Sequence, residues 1–204
     1  MPLGPVHKAR TRERIVRSAG RAFRRAGYAS AGIDAVMADA GLTRGGFYAH
    51  FASKEDLFAT VLATDHGLIR SLAAREAATP RAWNIRTLKL LSDYLHPDHL
   101  HVVSRDCSFA ALTADAARGS VVVRRAYGRA FDDLVAQLLR RHGESARQAW
   151  RRATPAQRAA ASQIAVLAIG TLVIAGALGP GPAARAALEA AWNTVRMHMR
   201  RSVL

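Results

Sequence analysis

Between Lys8 and Ala26 the residues Ile15, Ala19, Ala22, Phe23 and Ala26 fall at the i, i+4, i+7, i+8, i+11 spacing that gathers a buried stripe on one side of an α-helix. Helical spacing recurs along the rest of the chain and the alternation of a half-buried strand is scarce, which confines the fold to the all-α class. Glycines, prolines and Ser/Thr caps then cut the chain into about nine helices. Gly27 is placed to stop the first of them. A short helix follows from Ile33 to Ala40, with Val36, Met37 and Ala40 inward. Gly41-Leu42-Thr43 turns the chain, and Thr43 caps a second short helix over Arg44 to Ala49. Ser53 with Asp56 three residues on predicts a capping box opening a helix whose Leu57, Phe58, Val61 and Leu62 point inward. Beyond Pro80, helices are expected around Trp83 to Leu95, Phe109 to Ala117, Ser120 to His142, Thr154-Pro155 to about Leu178, and Ala183 to about Arg201. A polar loop spans His96 to Arg105, and Gly179-Pro180-Gly181-Pro182 must break the penultimate helix.

Charge narrows the choice of partner. A net charge of +15 over 204 residues exceeds what solubility needs and points to a polyanion, unless arginine use is merely high, since only Lys8, Lys54 and Lys89 are lysines. Position decides between the two. The first helix carries Lys8, Arg10, Arg12, Arg14, Arg17, Arg21, Arg24 and Arg25 against one acid, Glu13, directly before the two short helices. A basic helix beside a tight helical hairpin is the layout in which phosphate contacts steady a recognition helix in the major groove. One cysteine, Cys107, leaves no internal disulfide framework and fits a reducing cytoplasm, and Met1 to Lys8 has no signal-peptide apolar region.

The run Thr11 to Leu62, TRERIVRSAGRAFRRAGYASAGIDAVMADAGLTRGGFYAHFASKEDLFATVL, resembles the TetR family of transcriptional regulators. The resemblance implies a helix-turn-helix DNA-binding domain over residues 1–62 and a larger helical ligand-binding and dimerisation domain over residues 63–204. Carried over by position, it implies that Thr43, Arg44 and Gly46 face base edges. Tyr48, His50 and Lys54 would contact phosphates, and Phe23, Ile33, Val36, Ala40, Phe47 and Phe51 would form the small core. Arg44 can donate two parallel hydrogen bonds to a guanine edge, and Arg10 and Arg12 join the phosphate-contacting set. The chain departs from many relatives at Gly32, a weak cap for the second helix, and at Gly46, where a side chain often reaches a base. Gly46 shifts readout toward DNA shape.

In the carboxy-terminal part the resemblance implies a homodimer built on the last two long helices. Ile164, Leu167, Ala168, Thr171 and Leu172 on one, with Leu188, Trp192 and Val195 on the other, are the expected interface. A two-fold dimer calls for a palindromic operator in double-stranded DNA. Trp83, Leu91, Tyr94, Phe109, Leu112, Tyr127 and Phe131 are candidates to line a pocket for a small, largely apolar effector, the alternative being an ordinary core. Binding of that effector would release DNA, and the implied role is repression. Ala159 to Ala184 carries no charge and approaches the length of a membrane span, but its Ala and Gly content favours a close-packed dimer helix with no membrane partner. His96, Asp98, His99, His101, Asp106 and Cys107 are all groups able to bind a metal, yet their spacing matches no metal motif, so a solvated loop is expected and no cofactor. Cys107, next to Asp106 and two residues from Arg105, is also a candidate redox sensor. Neither a phosphate-cradling loop, HExxH nor a nucleophile elbow is present, so the chain reads as a non-enzyme. The competing readings are a membrane-associated or structural helical protein and an enzyme without a recognisable motif.

Overall fold

A computed structural model describes residues 5–99 and 107–199. Ten α-helices and two 3₁₀ turns occur among the described residues, with no strand. The chain divides into two compact units, Met1–His66 with Arg105–Ala130, and Gly67–Ser104 with Phe131–Leu204.

The first unit contains α1 (Pro5–Ser30), α2 (Ile33–Asp39), a 3₁₀ turn (Arg44–Ala49), α3 (Lys54–Thr64) and α6 (Ser108–Arg118). Helix α7 (Val121–Leu139) begins in this unit and ends in the second. Of the stripe on α1, Ile15, Ala19 and Phe23 are buried at 0–1% exposure, whereas Ala26 is exposed. Gly27 leaves the helical region at φ 76°, ψ 166°, so the regular helix that carries the stripe ends there as expected, and a short helical turn follows beyond the kink to Ser30. Asp115 of α6 accepts the Tyr28 N–H at 3.2 Å just beyond that kink. Phe23, Tyr28 and Phe58 cluster by their rings, and Val36, Met37, Phe47, Phe51, Leu57, Val61 and Leu62 complete one core with Leu112 and Ala116.

Local chemistry sets the element ends. Ser53 Oγ accepts the Asp56 N–H at 3.0 Å, while the Asp56 carboxylate takes the N–H of Ala52 rather than that of Ser53. The helix that Ser53 opens does not run on past Thr64, because Asp65 leaves the helical region at φ −102°, ψ 68° and turns into a buried ion pair.

In the second unit lie α4 (Gly67–Ala73), α5 (Pro80–Tyr94), a 3₁₀ turn (Pro97–His99), α8 (Ala146–Arg152), α9 (Pro155–Leu178) and α10 (Pro182–His198). Helix α8 falls outside the sequence expectation, and its signal was the Ser145/Gln148 capping box. An equivalent box at Thr154 and Gln157 opens α9, with Pro155 in the first turn. Gly179 at φ 71° ends it. Helix α7 stops at Leu139 instead of reaching His142: Arg75 donates to Gln137 O and Arg140 O, and Trp83 Nε1 donates to Arg140 O, consuming the terminal carbonyls. By length and composition α9 is able to cross a membrane; here it packs along α10 and buries Ile164, Ala165, Ala168, Leu172 and Ala175.

Candidate nucleic-acid interface

The recognition turn presents its residues outward from a rigid base. Phe47 is fully buried and anchors the 3₁₀ segment, stacked on Phe51 at 5.9 Å between centroids and edge-on to Tyr48 at 5.2 Å. Thr43, Arg44 and Tyr48 are left exposed, Tyr48 at 65%, and Gly46 is half-buried. Thr43 occupies the cap position with extended backbone, yet its hydroxyl makes no capping hydrogen bond, contrary to expectation. The segment winds as a 3₁₀ turn whose ends close by Gly46 N–H to Thr43 O and His50 N–H to Phe47 O bonds, so the hydroxyl stays available to an outside acceptor. Gly32 caps α2 without a side chain, as expected.

Arg44 is not free. Its Nη1 lies 2.8 Å from Asp34 Oδ2 of α2, a pair that sequence reasoning missed because ten residues and a glycine turn separate the two. Both side chains are mostly exposed, at 70% and 64%. An exposed pair is worth about 0.2–1 kcal/mol, less than a bidentate guanine contact, so Asp34 can orient Arg44 without holding it back.

Only part of the basic helix faces outward for a ligand. Arg14 donates to Ala40 O at 2.5 Å and so caps α2. Arg21 pairs with Asp39 at 2.5 Å, and Ser18 bonds both Val36 O and Asp39; the Ser18 hydroxyl and then Arg21 hold the Asp39 carboxyl below its ordinary pKa. Arg24 is buried against Asp65. Arg12 lies 4.5 Å over the Phe51 ring and donates to Thr60 Oγ1 at 3.2 Å. Lys8, Arg10, Arg17 and Arg25 remain exposed and enter no ion pair among the described residues.

Lys54 sits half-buried, 4.7 Å over the Tyr28 ring and donating to Ala29 O at 3.1 Å, and burial lowers its pKa. Beside the recognition turn a recess of about 350 Å³ is lined by His7, Lys8, Thr11, Leu42, Ala49 and His50. His50 Nδ1 is buried there with no partner among the described residues, and burial, then Lys8 and Arg12, lower the imidazole pKa. The ring N–H of an imidazole is a donor that a phosphate oxygen can accept.

The candidate pocket residues divide between the two units. Phe109, Leu112 and Tyr127 belong to the first, where Phe109 stacks on His66 at 4.0 Å and meets Tyr127 edge-on at 5.4 Å. Cys107 caps α6, its thiol accepting the Ala110 N–H at 3.5 Å, and is 4% exposed. In the second, Leu91 and Tyr94 are buried, Phe131 is half-buried, and Trp83 lies between Arg75 at 4.1 Å and Arg140 at 5.0 Å. No group of metal-binding residues occurs among the described residues; His96 pairs with Asp98 at 3.5 Å, while His101 and Asp106 lie outside them.

The expected dimer residues lie mostly inside the chain. Ile164, Ala168, Thr171, Leu172, Leu188 and Val195 are buried within the second unit, and Leu167 and Trp192 are half-buried. The exposed apolar residues of α9 are instead Val166, Val173, Ile174 and Leu178, with Met197 on α10.

Residues 15–61 match the family model of bacterial regulatory proteins, tetR family. No curated protein matches the chain. Among solved structures, reduced E. coli NemR is 19% identical, with a TM-score of 0.66 over 92% of this chain and 96% of that one. A tetR-family transcriptional regulator from Streptomyces coelicolor is 19% identical, with a TM-score of 0.65 over 98% and 83%. SmeT, the repressor of the Stenotrophomonas maltophilia multidrug efflux pump SmeDEF, is 18% identical, with a TM-score of 0.59 over 95% and 90%. These likenesses extend the shared fold over both units.

Proposed function

We propose that this chain, by its amino-terminal domain a member of the TetR family of bacterial regulatory proteins, works in the cytoplasm as a ligand-responsive repressor that binds a palindromic operator as a homodimer. The observation that carries the reading is the exposed edge Thr43–Arg44–Tyr48 on a fully packed three-helix base, with the exposed cations Lys8, Arg10, Arg17 and Arg25 of α1 in no ion pair among the described residues. Arg44 reads a base and Thr43 assists, with the bare Gly46 letting the turn approach the groove closely. Tyr48, His50, Lys54, Arg10 and Arg12 hold phosphates, Lys54 and Arg12 by swinging off the rings they cover. The apolar stripe of Val166, Val173, Ile174 and Leu178 on α9 and Met197 on α10 is the dimer face, since the other side of both helices is spent on the chain's own core. A small, largely apolar effector releases the operator by favouring a second arrangement of the reading heads.

Selection of bound duplexes from a random DNA library tests this. A palindrome should be enriched, with affinity falling steeply as salt rises. Arg44→Ala should relax preference at one base position per half-site and cost about 1–3 kcal/mol on the selected sequence, with little change on random DNA. Equal losses on both kinds of DNA would remove Arg44 from base reading, and no enrichment by a folded dimer would overturn the operator reading.

A further inference from the structure

Between the carboxy-terminal end of α5, the 3₁₀ turn Pro97–His99 and the flank of α10 lies a cavity of about 360 Å³. All three elements belong to the second unit, where α10 packs on both of the others. Leu95 and Leu188, 2% and 0% exposed, form an apolar floor, and the half-buried Trp192 indole supplies one wall. Around that floor stand groups whose polar capacity is unspent. The Ser92 hydroxyl, Trp192 Nε1, the Arg185 guanidinium and the Glu189 carboxylate all line the cavity, and none has a hydrogen bond or ion pair among the described residues. Arg185 and Glu189 are four residues apart on one helix, close enough to meet, yet they do not pair. At the 3₁₀ turn His96 Nδ1 accepts the Asp98 N–H at 3.3 Å and lies 3.5 Å from the Asp98 carboxylate.

We propose that this cavity is a binding site for a small aromatic zwitterion, its ring on Trp192 and Leu188, its carboxylate on Arg185 and its ammonium on Glu189. The volume lies at the small end of the range for small-molecule sites, roughly 300–1,000 Å³. Two adjacent, unpaired charges of opposite sign select against ligands that carry only one. An acid alone leaves Glu189 facing it with like charge, an amine alone does the same with Arg185, and a neutral ligand desolvates both without compensation. The site uses none of the candidate residues for the apolar effector; Leu188 and Trp192 were expected instead at the dimer face. It does not rest on the DNA-binding reading.

Titration calorimetry on the full chain with L-phenylalanine, L-tyrosine and L-tryptophan tests the site, with 3-phenylpropionate and 2-phenylethylamine as phenylalanine lacking one charge each. At least one of the three amino acids is expected to bind, and for phenylalanine the loss of either charge should weaken binding by about tenfold or more, the scale of one charged contact. Arg185→Gln should weaken the amino acids and 3-phenylpropionate but spare 2-phenylethylamine, and Glu189→Gln should show the mirror pattern. Both side chains belong to exposed residues, so an unchanged melting temperature in each variant separates a lost contact from a lost fold. Absence of binding by all three amino acids at millimolar concentration, or binding indifferent to both substitutions, would overturn the proposal.

Discussion

Asp65→Asn is expected to destabilise the protein by about 3–5 kcal/mol, the scale of breaking a buried ion pair from one side. Asp65 Oδ2 lies 2.5 Å from Arg24 Nη1, and the two side chains are only 8% and 6% exposed. The same guanidinium donates to Ser108 Oγ at 2.9 Å, and Ser108 in turn donates to Asp65 O at 2.6 Å, so α1, the end of α3 and the start of α6 meet at this point. An amide keeps the shape but withdraws the carboxylate charge that faces the buried arginine. For a chain of this length the melting temperature should fall by roughly 10 °C. Replacing both partners, as in Arg24→Met with Asp65→Leu, should recover most of the loss, because an apolar pair has no desolvation cost to offset. Gly20 reports on the same site: a Cβ there would sit 2.0 Å from Asp65 Oδ2, so Gly20→Ala should reproduce much of the damage. Thermal or urea unfolding checks all three, and a loss below about 1 kcal/mol for Asp65→Asn would show that the pair is not worth its burial.

Ile174→Arg should convert the proposed dimer to a monomer while leaving the chain's own stability nearly unchanged. Ile174 is 57% exposed and has Val166, Val173 and Leu178 on the same side of α9, at 60%, 41% and 54%. A charge placed at the centre of a covered apolar face costs about 3–5 kcal/mol per unpaired group, more than a hundredfold in the dimer constant. An exposed position in the free monomer tolerates the same change to within about 0.5 kcal/mol. Sedimentation should give half the mass at micromolar protein. Affinity for a single half-site should persist, and the advantage of the full palindrome should vanish. A variant that remains dimeric with its operator affinity intact would place the interface on another face.

The two halves of the chain differ in how legible they were. In the amino-terminal unit α1 sets polar and apolar residues on opposite sides, so Ile15 could be assigned to the core from spacing; Val36, Met37, Phe47, Leu57 and Leu62 were assigned from local spacing or family resemblance, and all six are buried. Helix α9 offers no such contrast. With no charge from Ala159 to Ala184, apolar residues fall on every side of it, and the sequence marks two helices without saying which flank faces home. The side expected at the dimer, Ile164, Ala168 and Leu172, is the side that α9 buries within its own unit.

What the sequence alone determined is what depends on neighbours along the chain: the all-helical class, the caps at Ser53 and Thr154, the glycine at Gly179 that ends α9, and the basic helix before a tight hairpin. Only the tertiary structure decided which charges are spent inside the molecule and which are left for a partner. Arg14, Arg21 and Arg24 read the same as Lys8, Arg10, Arg17 and Arg25 in a list of cations. Their partners Ala40, Asp39 and Asp65 lie 18 to 41 residues away, and a guanidinium is committed by an acceptor within a few ångströms in space, not by its neighbours in sequence.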